Sequence, residues 1–315
     1  MIRRLAMLAV SSILCTAAWA QQPMRVILPV SAGSGVDTIA RAAGPSLSKA
    51  LGQNVVIENL PGAGGITGTA AIVKAAPDGQ SIGMVSNNHV INPSVYPKLP
   101  FDSIADITPI TVLGTTPFVL VVNPKVPAKN VPELVALLKA RPGAYNYASS
   151  GNGTIIHLAG EMFVREADVD VKHIPYKGTG PMVQDLLGGQ VEMGVVALPA
   201  VQGHLKTGAL RAIGVGGKTR AAAAPQIPTI AEQGLPNYEA EGWFAIVGPA
   251  RLPAAEILRI HRAVVAAFAS PEVKEAMAKQ GNTINPSSPE AAAQYFRSEM
   301  ARFGRIVKQA GVKID

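Results

Sequence analysis

The stretch Tyr145-Asn146-Tyr147-Ala148-Ser149-Ser150-Gly151-Asn152-Gly153-Thr154-Ile155-Ile156-His157-Leu158 decides how the rest of the chain is read. Residues 145–148 have the apolar character of a buried strand, and residues 155–166 carry apolar side chains at helical spacing. Between them lie Ser149, Ser150, Gly151, Asn152, Gly153 and Thr154. Glycines let a backbone approach a ligand closely, and hydroxyls donate to an anion or cap a helix. Such a turn presents several N–H groups to one small anion at a helix N-terminus. It contains no Lys or Arg, so recognition there rests on neutral dipoles. The same residues also serve a plain capped strand-to-helix turn.

Outward from this loop, strand and helix patterns alternate. Residues 25–30 read as a buried strand, followed by a helix that Asp37 can cap and in which Ala40, Ala43, Leu47 and Leu51 form one apolar face. Residues 54–57 form a second strand, Pro61-Gly62-Ala63-Gly64-Gly65 lead into a helix through Ala76, and residues 81–86 form a third strand. After an irregular stretch rich in Asn and Pro, residues 118–122 read as a strand. Helices over 131–140, 155–166, 181–187 and 199–206 then alternate with strands over 145–148, 171–175, 191–196 and 210–215. The end is helical over 253–269, 272–280 and 289 to about 309, the last with the stripe Ala292, Phe296, Met300, Phe303 and Val307.

This alternation predicts an α/β fold of parallel sheets covered by helices. Two lobes fit the length better than one oversized core: lobe 1 from residues 21–121 and 246–315, lobe 2 from residues 122–245. Strands near 118–123 and 242–248 would cross between them. Ligands of open α/β sheets sit beyond the carboxyl ends of the strands, so facing lobes would enclose a central cleft lined by these loops.

The amino terminus indicates an exported protein. Arg3 and Arg4 precede an apolar stretch over 5–14, and Ala18-Trp19-Ala20 is a small-x-small cleavage site, which together make a signal peptide over residues 1–20. Cys15, the one cysteine, leaves with it, so no disulfide is expected and stability must come from packing. No later stretch has about eighteen uninterrupted apolar residues. The net charge of +7 is too diffuse to name a ligand, and the basic residues form neither a stripe nor a run that suits nucleic acid. Low aromatic content, 5%, argues the same way against stacking on single strands.

The block Pro29-Val30-Ser31-Ala32-Gly33-Ser34-Gly35-Val36-Asp37-Thr38-Ile39-Ala40-Arg41 resembles the first strand–loop–helix signature of the Bug receptors. These are the TctC-type extracytoplasmic solute-binding receptors of tripartite tricarboxylate transporters. Further blocks agree in order: Glu58-Asn59-Leu60-Pro61-Gly62-Ala63-Gly64-Gly65, Ile91-Asn92-Pro93 with Leu99-Pro100-Phe101-Asp102, the loop above with His157-Leu158, and His173-Ile174-Pro175-Tyr176-Lys177-Gly178 continuing to Asp185-Leu186-Leu187-Gly188-Gly189-Gln190-Val191. The resemblance implies a two-lobed type II periplasmic-binding-protein fold, located in the periplasm. It would close on a small carboxylate and hand it to membrane permease subunits, as a monomer without cofactor.

By the same resemblance, the carboxylate is held by Ser31, Ala32, Gly33, Ser34, Gly35, Val36 and Asp37 of the first loop and by Ser149 to Thr154 of the second. Two departures stand out. Ser34 interrupts the family's glycine pair, and Val196 and Ala197 stand where many members place an aromatic residue and an aspartate. Loss of that acid disfavours an amino-group ligand and favours a more apolar carboxylate.

Other residues carry paired explanations. Asp37 is a helix cap or a ligand contact. Pro61 to Gly65 is a tight turn needing positive φ or a ligand loop. Asn87, Asn88 and His89 follow the third strand toward the same cleft, and His89 serves as a neutral donor or as a hydrogen-bonded surface histidine. Tyr176 and Lys177 line the cleft or lie at its rim. Val36, His89, Ile155 and Val196 would set the pocket volume. Trp243 is expected to pack at a crossing rather than stack on a ligand. His157, in the first helical turn, is a candidate ligand contact; with Glu161 it also has metal-pair spacing, but no third ligand converges and no metal is expected.

An enzyme finds less support. Gly62, Gly64 and Gly68 miss the dinucleotide fingerprint by one position, and no Gly-x-Ser-x-Gly elbow occurs, which makes a secreted hydrolase the weaker alternative. A loaded receptor docking on a membrane histidine kinase remains a sequence-compatible alternative to a permease.

Overall fold

The computed structural model describes residues 22–310; the signal peptide expected over residues 1–20 lies outside them. The chain opens with β1 (Met24–Leu28), α1 (Gly35–Leu51), β2 (Val55–Asn59), a 3₁₀ turn (Ala63–Gly65), α2 (Ile66–Val73), β3 (Ser81–Ser86) and α3 (Asn88–Val95). A long strand β4 (Ile107–Val122) then leads to α4 (Val131–Ala140), β5 (Asn146–Ser149), α5 (Ile155–Ala167), β6 (Lys172–Pro175), α6 (Thr179–Gly188), β7 (Met193–Ala197), α7 (Leu198–Lys206) and β8 (Arg211–Val215). The return strand β9 (Glu241–Pro249) precedes α8 (Ala254–Ala269), α9 (Pro271–Gln280), the short β10 (Thr283–Ile284) and α10 (Pro289–Ala310).

The buried apolar run of β1 suits a strand with neighbours on both edges, and it pairs in parallel with β2 and β3. β9 inserts antiparallel between β3 and the first part of β4, completing the sheet of lobe 1. In lobe 2, β5 pairs in parallel with β6 and β7, while the end of β4 runs antiparallel to β7 and β8. Both sheets are therefore mixed, where the alternation alone predicts parallel ones. The physical reason is the pair of crossing strands, which run against their neighbours.

β4 is one continuous strand shared by both lobes. Residues 107–117 pair with β9 and residues 118–122 with β7 and β8, so the hand-over lies between Pro117 and Phe118. The chain returns at Ala240, whose N–H donates to Gly216 O at 2.8 Å, just before β9 begins. These points fall a few residues before the divisions expected at 121/122 and 245/246.

The stretch read as irregular is ordered: it holds α3 and the first half of β4. Pro93 inside α3, and Pro109, Gly114 and Pro117 inside β4, read as breakers in sequence. The strand accommodates Pro109 and Gly114 at irregularities, since its register against β9 shifts between Pro109 and Thr111 and between Val112 and Gly114. α10 buries Ala292, Phe296, Phe303 and Val307 and packs on α3, β4 and α5, touching both lobes. Trp243 is anchored to it, donating from Nε1 to Glu299 Oε2 at 3.0 Å and meeting Tyr295 edge-on.

Candidate functional site

The first loop is held by a reciprocal cap. Ser34 Oγ accepts the Asp37 N–H at 3.2 Å, and Asp37 Oδ2 accepts the Gly33 N–H at 3.0 Å. The other carboxylate oxygen, Oδ1, receives Arg41 Nε at 2.9 Å and Asn59 Nδ2 at 3.0 Å. Burial alone would raise the Asp37 pKa, but Arg41, the Gly33 N–H and Asn59 together hold it below the usual carboxylate range. Its acceptors are thus engaged within lobe 1, and Asp37 braces the loop.

The second loop has the same construction in lobe 2. Thr154 Oγ1 caps α5 by accepting the His157 N–H at 3.3 Å, and donates to Gly151 O at 2.8 Å. Ser150 Oγ donates to Thr154 Oγ1 at 3.2 Å. Gly151 and Gly153 both have positive φ, 134° and 70°, which closes the loop around its own hydroxyls. The lobes touch here: the Ile155 N–H donates to Asn88 Oδ1 at 2.8 Å and the Gly180 N–H to Ser31 Oγ at 3.3 Å.

Between the lobes lie two joined chambers. The inner recess, of about 70 Å³, is walled by the cap Ser34 with Gly35 and Val36 of α1, by Ser150 of the second loop with Ile155 and Ile156 of α5, by Ala197 at the end of β7, and by Phe118, Gly242 and Trp243 on the crossing strands. Helix geometry leaves first-turn N–H groups without intrahelical partners, and those of Gly35, Val36 and Ile156 belong to this wall. The outer cleft, of about 470 Å³, runs from Ser31 and the 3₁₀ turn past Tyr96 to Gly151, Asn152, Thr154, Tyr176 and Lys177. Val30, Asn88, Ser150 and Thr179 border both. Chemically, this is a cavity for an oxyanion head with an apolar or weakly polar body.

The residues expected from sequence divide accordingly. Ser31, Ser34, Gly35, Val36, Asn87, Ser150, Gly151, Asn152, Thr154 and Tyr176 line one chamber or the other. Asn87, though on the wall, commits its amide to the β9 backbone, accepting the Trp243 N–H at 2.9 Å. Tyr176 donates to Asp185 Oδ2 at 2.8 Å, and burial first, then this partner, pushes its hydroxyl up to about 12. Ala32, Gly33, Asp37, Ser149, Gly153, His157 and Val196 line neither chamber.

His89 is turned into lobe 1, with Nε2 2.7 Å from Ser103 O and its ring against Phe101 and Phe296. Burial drives it down to about 4, so it is neutral. It reaches only a narrow crevice behind Gly64 and Gly65. Because a helix turns about 100° per residue, neighbouring side chains face different ways: Asn88 borders both chambers while His89 points into lobe 1. Strand alternation explains Val196 likewise: its side chain is fully buried while Ala197 borders the recess.

Sequence reasoning left out Tyr96 and Thr179, which carry no local signal, and named Ala197 only as the place of a missing aspartate, where it in fact borders the recess. It weighed Pro61 to Gly65 as a turn; the segment does take positive φ at Gly62, Ala63, Gly64 and Gly65, and it also lines the outer cleft. Among the described residues no three His, Cys, Asp or Glu side chains are grouped to hold a metal.

Residues 39–312 match the family described as tripartite tricarboxylate transporter family receptor, TctC. Protein BugT of Bordetella pertussis is 35% identical over 295 residues, covering 93% of this chain and 90% of BugT. Among solved structures, R. palustris Rpa4515 with adipate aligns with a TM-score of 0.90 at 29% identity, covering 94% of this chain and 100% of that one. MatC (Rpa3494) from Rhodopseudomonas palustris with bound malate gives a TM-score of 0.85 at 27% identity, covering 90% and 98%. Agreement in both sequence and fold along nearly the whole described chain assigns it: the protein belongs to the tripartite tricarboxylate transporter receptor family, the Bug/TctC-type solute-binding receptors.

Proposed function

We propose that this chain captures a small organic carboxylate lacking an amino group between its two lobes, in the periplasm, and delivers it to the membrane permease subunits of a tripartite tricarboxylate transporter. The observation that carries this reading is the make-up of the inner recess, where two helix N-termini from different lobes meet and no Asp, Glu, Lys or Arg lines the wall. Peptide N–H groups suit an oxyanion. An ammonium group would find no counter-ion there, and burying it unpaired is costly. Phe118, Ala197 and Trp243 offer an apolar surface to a carbon chain, and the outer cleft gives that chain room to extend toward Tyr176 and Lys177. The adipate and malate held by the two R. palustris proteins support the ligand class.

In this reading Ser34, Gly35, Val36, Ser150 and Ile156 hold the head group, and Ser31, Asn152 and Tyr176 flank the path to it. Residues 1–20 would direct export and be removed by cleavage near Ala20. A thermal-shift screen over aliphatic and aromatic mono- and dicarboxylates, each beside its amino-substituted counterpart, tests it. A ligand at a hundredfold its Kd stabilises by about 2.7 kcal/mol, or roughly 5–10 °C for a chain of this size. At least one unsubstituted acid should give such a shift and its amino counterpart should not. A preference for amino acids, or no shift with any acid, would overturn the proposal.

A further inference from the structure

Beneath the second loop lies a cluster of titratable side chains that anion capture by peptide N–H groups does not itself use. His157 and His173 lie face to face, ring centres 3.9 Å apart and planes within 8°. Tyr147 packs against both rings, and its hydroxyl donates to Glu161 Oε1. Each imidazole holds one part of the loop. Nδ1 of His157 accepts the Gly153 N–H at 3.0 Å. Nε2 of His173 lies 2.6 Å from Ser149 Oγ, which accepts the Gly151 N–H at 3.2 Å. Both positive-φ glycines of the loop are therefore tied to the stacked pair. The bond from Gly153 also dictates a tautomer: Nδ1 of His157 is bare, and the ring proton sits on Nε2, 3.7 Å from Glu161 Oε1.

We propose that the His157–His173 pair positions the ligand loop and couples capture to pH: the loop keeps its binding shape while Nδ1 of His157 is bare, and loses it when that nitrogen gains a proton. A protonated Nδ1 is a donor, so it cannot accept from Gly153, and the loop must shift. The consequence for affinity rests on the carboxylate reading above; the positioning of the loop does not.

The sign follows from the groups that face the pair: Glu161 from α5, Tyr147 from β5 and the second imidazole from β6. Glu161 lies below the usual carboxylate range, chiefly through its contact with His157 and against burial, so it is an anion that draws a proton toward the stack. Burial, and then repulsion from His157, holds His173 down to about 4. Two cations at stacking distance oppose each other. Capture is intact in the neutral range and weakens on acidification. A bare through-space attraction between imidazolium and a bound anion would have the opposite sign.

The test follows the ring nitrogens of His157 and His173 and the amides of Gly151 and Gly153 by NMR of 15N-labelled protein, from about pH 7.5 to about pH 4.5. The Gly153 amide should titrate with the His157 ring, and its response should vanish in His157→Gln, whose carbonyl can accept from Gly153 without titrating. In calorimetry with adipate and malate as probes, acidification should weaken wild type about tenfold more than His157→Gln, the probe's own ionisation cancelling in the ratio. A Gly153 amide indifferent to the ring, parallel affinity profiles, or affinity that rises on acidification would overturn the proposal. The wild-type titration decides alone if the variant does not fold. A responsive Gly153 in a protein that binds no carboxylate would uphold the positioning role and defeat the carboxylate reading instead.

Discussion

Gly151 concentrates the chemistry of the second loop in one position. Its φ of 134° is closed to side-chain-bearing residues, and a Cβ there would lie 3.3 Å from Tyr176 O. Gly151→Val should therefore abolish saturable carboxylate binding in calorimetry while the circular dichroism spectrum stays native; unchanged affinity would count against the loop as the anion site. At Gly33 an added Cβ meets nothing within 4 Å, so only the backbone resists substitution. Single residues were unevenly legible. The glycines and hydroxyls announced the loop because their chemistry is local. The facing of Asn87, Asn88 and His89 depends on the phase of a helix whose start the sequence does not mark, and Asn88 took the cleft.

At the scale of elements, the two cleft loops are one device used twice: a hydroxyl cap, a turn containing positive-φ glycine, and a helix whose third residue donates its N–H to the cap. In lobe 1 the device is locked by Asp37, which joins the loop, α1 and Asn59 at the end of β2. Asp37→Ala removes these acceptors from three donors that are only partly buried, which costs about 1 kcal/mol. Urea unfolding should show a lower midpoint with an unchanged slope; no change would mean that the cap is decorative. Asn130 and Glu133 make the same reciprocal cap on α4, away from the cleft, so the motif alone does not signal a ligand. The strands and helices of the α/β alternation were readable from apolar periodicity. β4 was only half readable, because Pro109, Gly114 and Pro117 punctuate a strand that carries them through irregular pairing and across the lobe boundary.

The whole molecule turns on how the lobes meet. Asn88 Oδ1 occupies the Ile155 N–H, a donor of the very helix end that borders the recess, and Ser31 Oγ receives the Gly180 N–H. A lobe contact of this kind biases an open–closed equilibrium by its own free energy. Asn88→Ala should shift the population toward open, read as a larger radius of gyration by small-angle scattering in ligand-free buffer; an unchanged radius would show that the contact has no hold on closure. No sequence pattern announces such a pair, because its members lie 67 positions apart and on different lobes. The two-lobed plan itself was legible from length and alternation, whereas the mixed sheets follow from strands that cross, which periodicity does not report.

A recess walled only by neutral groups has a consequence for the particle as a whole. Peptide dipoles carry no net charge and take up no proton on binding, so a captured anion adds its whole formal charge to the particle. Occupancy would then be written into the electrophoretic mobility of the protein, and a docking surface at the membrane would meet a less basic body when cargo is aboard.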